Sequence, residues 1–403
     1  MKILHNYIPR RSVAKLFFFV GIVWAALVGP MSVILVLQDF GATNPQIGMF
    51  AAITAGLSMV FQPVWGMISD KIGSPRRIIC FCLGASAVFF GSVFLTGNFY
   101  VAVVLLLFDM IFRCGMVALL DSHTLQEVNA IPGLQYTHIR WAGSVFFGLT
   151  SLVYGGVMDT WGVMTILPIS ATLAVFAVIW GIFVAKGEGE SGEYALKRIK
   201  PNLKKDTVAL LMNKQYVILI IYIALSALAL QPLWIFLIVF ITSVGGTQGD
   251  VSRLHAWRCV VEIPILFLIG SKCKNVSSKK LMVIGLFFML VYVAGIALAP
   301  SYFWIVAAHL VGGVPGFIFG LTGRLKYLNE ITPESVRSTS ITLLGTLEIG
   351  LGAIIGNLVA GFVLDMYGTR ILGAVSFGAL LIASVMLLFM KSDASASNKE
   401  ERV

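Results

Sequence analysis

Charge is what this sequence has least of. Asp, Glu, Lys and Arg make up 12% of its 403 residues, about half the share of an average globular domain, while hydrophobic residues make up 58%. So little charge cannot clothe a folded chain of this length in water, which excludes an ordinary soluble protein. Cysteine is scarce too: Cys80, Cys82, Cys114, Cys259 and Cys273 lie in or beside apolar runs, with a lone C-x-C as their one close spacing. That pattern gives neither a disulfide framework nor a zinc site. H-E-x-x-H, G-x-S-x-G and phosphate-cradling loops are absent, so neither an enzyme nor a bound cofactor or metal is expected. Acidic residues number 19 against 29 basic ones, a net charge of +10. The basic residues fall in short polar gaps between long apolar runs, which makes the excess a membrane-orientation signal rather than a nucleic-acid surface.

What the chain does have is glycine (40) and phenylalanine (28), a composition suited to close helix packing in lipid. A bilayer core takes about 20 apolar residues per helix. Runs of that kind lie near 14–37, 47–68, 78–96, 99–120, 141–160, 163–185, 216–243, 251–269, 281–299, 303–323, 338–364 and 371–390. The first is preceded by Arg10 and Arg11, as a signal peptide would be, but its length and the absence of a small-residue cleavage site predict a retained span. The expected fold is therefore an all-α membrane protein of twelve transmembrane helices.

Lys and Arg concentrate in alternate gaps: before the first run, at Lys71, Arg76 and Arg77, in 186–214, after the eighth and tenth runs, and at the end of the chain. By the positive-inside rule both termini and the 186–214 segment are expected in the cytoplasm. That segment is the longest polar stretch and divides the chain into an expected N-terminal six-helix bundle (1–185), a linker (186–214) and a C-terminal bundle with a short tail (215–403). The halves also repeat. GGVMDTWG (Gly155 to Gly162) closes the fifth run and GFVLDMYG (Gly361 to Gly368) closes the eleventh, 206 residues later. Two pseudo-symmetric bundles with a site at their interface are the build of many secondary transporters.

Residues 66–77 read GMISDKIGSPRR. Asp70 ends a helix, where the macrodipole disfavours negative charge, and Arg76 and Arg77 are near enough to compensate. Gly73 permits a tight reversal and Gly66 a close helix contact. The spacing resembles the G-x-x-x-D-(K/R)-x-G-x-x-(R/K) signature of the major facilitator superfamily, which implies a gating role for Gly66, Asp70, Gly73, Arg76 and Arg77. Residues 50–73 resemble helix 2 of the lactose permease group of oligosaccharide:proton symporters. IRWAGSVFFG (139–148) resembles a segment shared by that group, the phenylpropionate permeases and the nucleoside:proton symporters, and HLVGGVP (309–315) is similar to the group's histidine segment.

A charge inside a span is a functional candidate by default. Asp109 and Arg113, four apart, can pair on one helix face, either to contact substrate or to lock packing. The resemblance implies that Asp121 and Arg140 work together on the substrate, holding hydroxyls by charge-assisted hydrogen bonds; otherwise they flank the membrane boundary. Phe147 stands where the lactose permease group has a sugar-stacking tryptophan. Arg258 and Glu262 are again four apart, either a fixed pair or a proton-coupling site, with Glu348 a second coupling acid and His309 assisting. The carboxylate of helix 7 and the arginine of helix 9 that complete the lactose permease network have no counterparts here, and Gly312 replaces an acid.

These features predict a monomeric cell-membrane transporter. It is expected to import a small polar solute (an oligosaccharide, glycoside or nucleoside) with protons, sodium being the other coupling ion that the residues leave open. The alternative within transport is a drug:proton antiporter, but GLTSLVYGG (148–156) has no proline where those proteins carry G-P-x-x-G-G.

Overall fold

The computed structural model describes residues 10–131, 134, 136–183, 210–273, 275–332, 340, 344–345 and 348–391. Among them there is no strand. In order, the helices are α1 (Ser12–Asp39), α2 (Asn44–Ile72), α3 (Pro75–Leu95), α4 (Phe99–Ala130), α5 (Tyr136–Trp161) and α6 (Val163–Phe183). Then come α7 (Lys214–Ile235, continued as Leu237–Ser243), α8 (Gln248–Lys272), α9 (Ser278–Ala297) and α10 (Tyr302–Ile331). The last stretch, Ala353–Phe389, is broken at Gly368 (φ +77°) into α11 (353–367) and α12 (369–389). Ten of these stretches are long and apolar enough to cross a bilayer. Dividing the last at Gly368 and adding the 25-residue α8 gives the expected twelve.

The repeat is visible in the backbone. Gly162 (φ +83°), between α5 and α6, and Gly368 (φ +77°), between α11 and α12, share a left-handed conformation that side chains with a Cβ resist. Helix starts are closed by the chain itself: Asn98 accepts from the Tyr100 and Val101 amides at 2.9 and 3.2 Å, and Asn213 from Gln215 and Tyr216 at 3.0 and 3.4 Å. Such caps satisfy amides that have no intrahelical partner.

Two boundaries differ from the apolar runs. Helix α4 continues ten residues past 120 because His123, Thr124 and Glu127 are buried within the fold, and α5 begins at Tyr136, before its run. Asp121 and Arg140 therefore both lie within helices rather than at their ends.

Contacts divide the described chain into two compact units. The first holds α1, α2 from Leu57, α3 to α6, and Gln248–Cys259 of α8; the second holds Thr43–Gly56, α7, α8 from Val260, and α9 to α12. The expected linker, 186–214, lies largely outside the described residues. In the first unit α1 packs on α5 and α6, and α3 on α6, around fully buried Phe19, Val23, Ile79 and Cys82. In lipid such packing rests on dispersion and close approach, and glycines supply the approach: a methyl on Gly21 would meet the Phe146 ring at 2.6 Å. In the second unit α7 packs on α11 and α12, and α9 on α10. There a methyl on Gly316 would lie 2.9 Å from the Met289 nitrogen, so the two backbones nearly touch.

Candidate functional site

The chain reverses between α2 and α3 at Gly73. Gly73 has φ +72°, Ser74 is extended and Pro75 opens α3, where a missing N–H costs nothing. Asp70 and Arg77 are exposed. Arg76 is 6% exposed, and its guanidinium donates to the Gly181 carbonyl in the last turn of α6. Gly66, expected to admit a close helix contact, does not: among the described residues nothing lies within 4 Å of where a methyl would be, because this part of α2 is only half-buried.

The first unit brings Asp121 (α4) and Arg140 (α5) together at 4.0 Å, with side chains 39% and 34% exposed. This is a loose ion pair, beyond hydrogen-bond length. Asp121 instead accepts from the Tyr136 hydroxyl at 2.7 Å. Burial, then the hydrogen bond it donates to Asp121, pushes the Tyr136 hydroxyl up to about 12, so it remains a donor across the physiological range. The Arg140 guanidinium lies 4.6 Å from the centre of the Trp24 ring on α1, a cation–π contact. Phe147 stands edge-on between Trp24 and His255, 6.1 and 6.3 Å from their centres. Gly143 makes room for this: a methyl there would sit 2.7 Å from the Trp24 nitrogen. Trp24, Tyr136 and His255 were not singled out by spacing, because their contacts join different helices.

Asp109 and Arg113 do pair, at 3.0 Å. Asp109 is fully buried, and the Ser86 hydroxyl of α3 also donates to it.

In the second unit Glu348 pairs with Arg324 of α10 at 2.7 Å. Both line a cavity of about 100 Å³ together with Tyr222, Gln231, Trp234 and Phe317. His309 is fully buried, edge-on to Trp234 and Tyr292 at 5.2 and 5.4 Å, and opens a π-helical turn over His309–Gly313. Arg258 and Glu262 are half-buried on α8.

A third cluster falls at the end of α5. Arg253 contacts Asp159 at 2.6 Å and Asp250 at 2.7 Å, and the Gly249 amide donates to Asp159 at 3.2 Å.

Long apolar helices broken by sparse, paired charges describe a transporter scaffold, and the sequence agrees: the MFS_1 like family matches residues 12–375. The chain belongs to this family of major facilitator transporters. It is a multi-pass membrane protein that moves small solutes, not an enzyme. The MFS_1-like chain is 22% identical over 402 residues to the uncharacterized transporter YwbF of Bacillus subtilis (strain 168), covering 97% of this chain and 96% of that one. It is 24% identical over 411 residues to a maltose permease of Geobacillus stearothermophilus, covering 98% and 97%. The crystal structure of nucleoside transporter NupG matches with a TM-score of 0.79 at 16% identity, covering 94% of this chain and 98% of that one, a likeness of fold.

Proposed function

We propose that this MFS_1-like transporter imports a small polyhydroxylated solute, an oligosaccharide, glycoside or nucleoside, together with protons, by alternating access. The observation that carries the reading is the partly exposed Asp121 carboxylate beside a guanidinium seated on Trp24. A carboxylate accepts from hydroxyls, a guanidinium donates to ring and hydroxyl oxygens, and an aromatic face covers the apolar side of a sugar ring. Asp121, Arg140 and Phe147 contact the solute in this reading, with Trp24 and Tyr136 holding them in place. Asp109 and Arg113 take the packing role, since Asp109 is enclosed and already has two donors. Glu262, with Arg258 one turn away, carries the coupling proton; Glu348 and His309, in the same second unit, support it. The Gly66 to Arg77 turn serves gating. The names of the maltose permease and nucleoside transporter relatives favour the same solute classes.

Uptake of labelled maltose and uridine into proteoliposomes, with and without an inward proton gradient, tests the reading. Gradient-driven accumulation of a sugar or nucleoside is the expected result. Accumulation driven only by an outward gradient, or of hydrophobic drugs alone, would replace it with the antiporter.

A further inference from the structure

A second cavity, of about 360 Å³, lies in the first unit between the first turns of α3 and the last turns of α6, lined by Arg76, Arg77, Cys80, Phe81, Val178 and Ile182. It shares no residue with the Asp121–Arg140 cluster. Its position is the edge of the membrane: α3 begins at Pro75 and α6 ends at Phe183, and both are long and apolar enough to cross.

The lining has two chemistries. At one end stand two arginines. Arg76 is buried and fixed by the Gly181 carbonyl, while Arg77 beside it is exposed. At the other end the wall is apolar, and Phe81 and Ile182 are 58% and 50% exposed, so they face the surroundings of the bundle. In a membrane-spanning segment those surroundings are acyl chains.

We propose that this cavity binds an anionic phospholipid. The phosphodiester lies on the exposed Arg77 guanidinium, beside the buried positive charge of Arg76, and the first part of an acyl chain runs along Phe81, Val178 and Ile182. Guanidinium groups pair with phosphate oxygens through forked, charge-assisted hydrogen bonds, and basic pockets between helices at the membrane edge suit anionic headgroups. A soluble phosphate would use the arginines but leave the apolar wall without a purpose. A zwitterionic lipid would use the wall but bring a cationic group against two guanidinium groups. The anionic phospholipid alone satisfies both ends. Because the arginines belong to the α2–α3 turn, the bound lipid becomes part of the surroundings of the motif itself.

The test uses the purified full chain in detergent, with phosphatidylglycerol, phosphatidylcholine and inorganic phosphate as separate probes, read by native mass spectrometry and thermal unfolding. Phosphatidylglycerol should remain bound and raise the unfolding temperature, and the other two should do neither. Arg77→Gln should weaken phosphatidylglycerol binding about tenfold or more, the loss of a charged pairing. Val178→Trp, which fills the apolar end and leaves both arginines, should weaken it comparably. Lys71→Gln, a nearby basic residue outside the cavity, should leave it unchanged. Equal binding of phosphatidylcholine, equal stabilisation by inorganic phosphate, or wild-type lipid binding by both Arg77→Gln and Val178→Trp would overturn the proposal.

Discussion

Arg253 stands between two carboxylates, with one Nη2 2.6 Å from Asp159 and 2.7 Å from Asp250, and so ties the end of α5 to the start of α8. The helices meet closely there: a methyl on Gly155 would lie 2.8 Å from the Gly249 carbonyl. In the second half Gly361 makes the corresponding approach, to Asn44 and Pro45, but Asp365, the repeat counterpart of Asp159, is exposed and no ion pair reaches it among the described residues. One sequence motif thus makes a charged contact in one half and an uncharged one in the other.

Arg253→Gln should therefore lower thermal stability, since it leaves Asp159 and Asp250 facing each other unscreened. The cost is about 1 kcal/mol for so exposed a pair, and high salt should shrink it. Asp365→Asn should change stability by much less. Melting curves of both variants in one detergent decide the matter, and equal melting temperatures would contradict the contrast.

At the proposed solute site, Arg140→Ala and Asp121→Asn should each abolish binding while leaving folded protein. Arg140→Lys keeps the charge but loses the planar fork and its seat on Trp24, and should still lose about tenfold, or about 1.4 kcal/mol. Tyr136→Phe removes the donor to Asp121 and should weaken binding severalfold. The hydroxyl, pushed up to about 12, stays protonated below its ordinary value of about 10 and beyond. Its contribution should therefore be flat from acid to mildly alkaline pH. Titration calorimetry across pH checks the slope.

Glu262→Gln should preserve solute exchange, which moves no net proton, and lose accumulation driven by a pH gradient. Glu348→Gln removes the partner of Arg324, and its main effect should be on stability, again about 1 kcal/mol. Counterflow and gradient-driven uptake measured side by side separate them. If accumulation survives in Glu262→Gln and fails in Glu348→Gln, the proton travels on Glu348.

Within the second unit, Gly316→Ala should cost about 1–3 kcal/mol through overpacking, because its methyl would lie 2.9 Å from the Met289 nitrogen and 2.8 Å from its Cγ. Gly320→Ala, one turn on, meets nothing within 4 Å and should be tolerated. Comparative thermal unfolding of the two variants tests the packing of α9 on α10.

The helices, their number and the repeat were legible because each depends on residues close in sequence. Apolar length marks a span, and Gly162 and Gly368 mark matching breaks. The Asp109–Arg113 pair was legible for the same reason, being one helical turn apart. Trp24 beneath Arg140 was not, since 116 positions separate them and only the packing of α1 on α5 brings them together. Arg324 as the partner of Glu348 was hidden likewise. The length of α4 was misjudged because hydropathy ends a helix at its first polar residues, whereas His123 and Glu127 are buried inside the unit.

A π-helical turn stands on each side of the Arg324–Glu348 pair: His309–Gly313 within α10, and Glu348–Gly352 immediately before α11. A π turn holds one more residue than the α-helical turn it replaces, and one residue is about 100° of rotation. Everything beyond Gly313 therefore faces a direction that an uninterrupted helix would give to its neighbour in sequence. A reading of α10 as an uninterrupted helix would assign Arg324 to the wrong face. A single-residue deletion within His309–Gly313 leaves every charge in the chain intact and turns Arg324 away from Glu348.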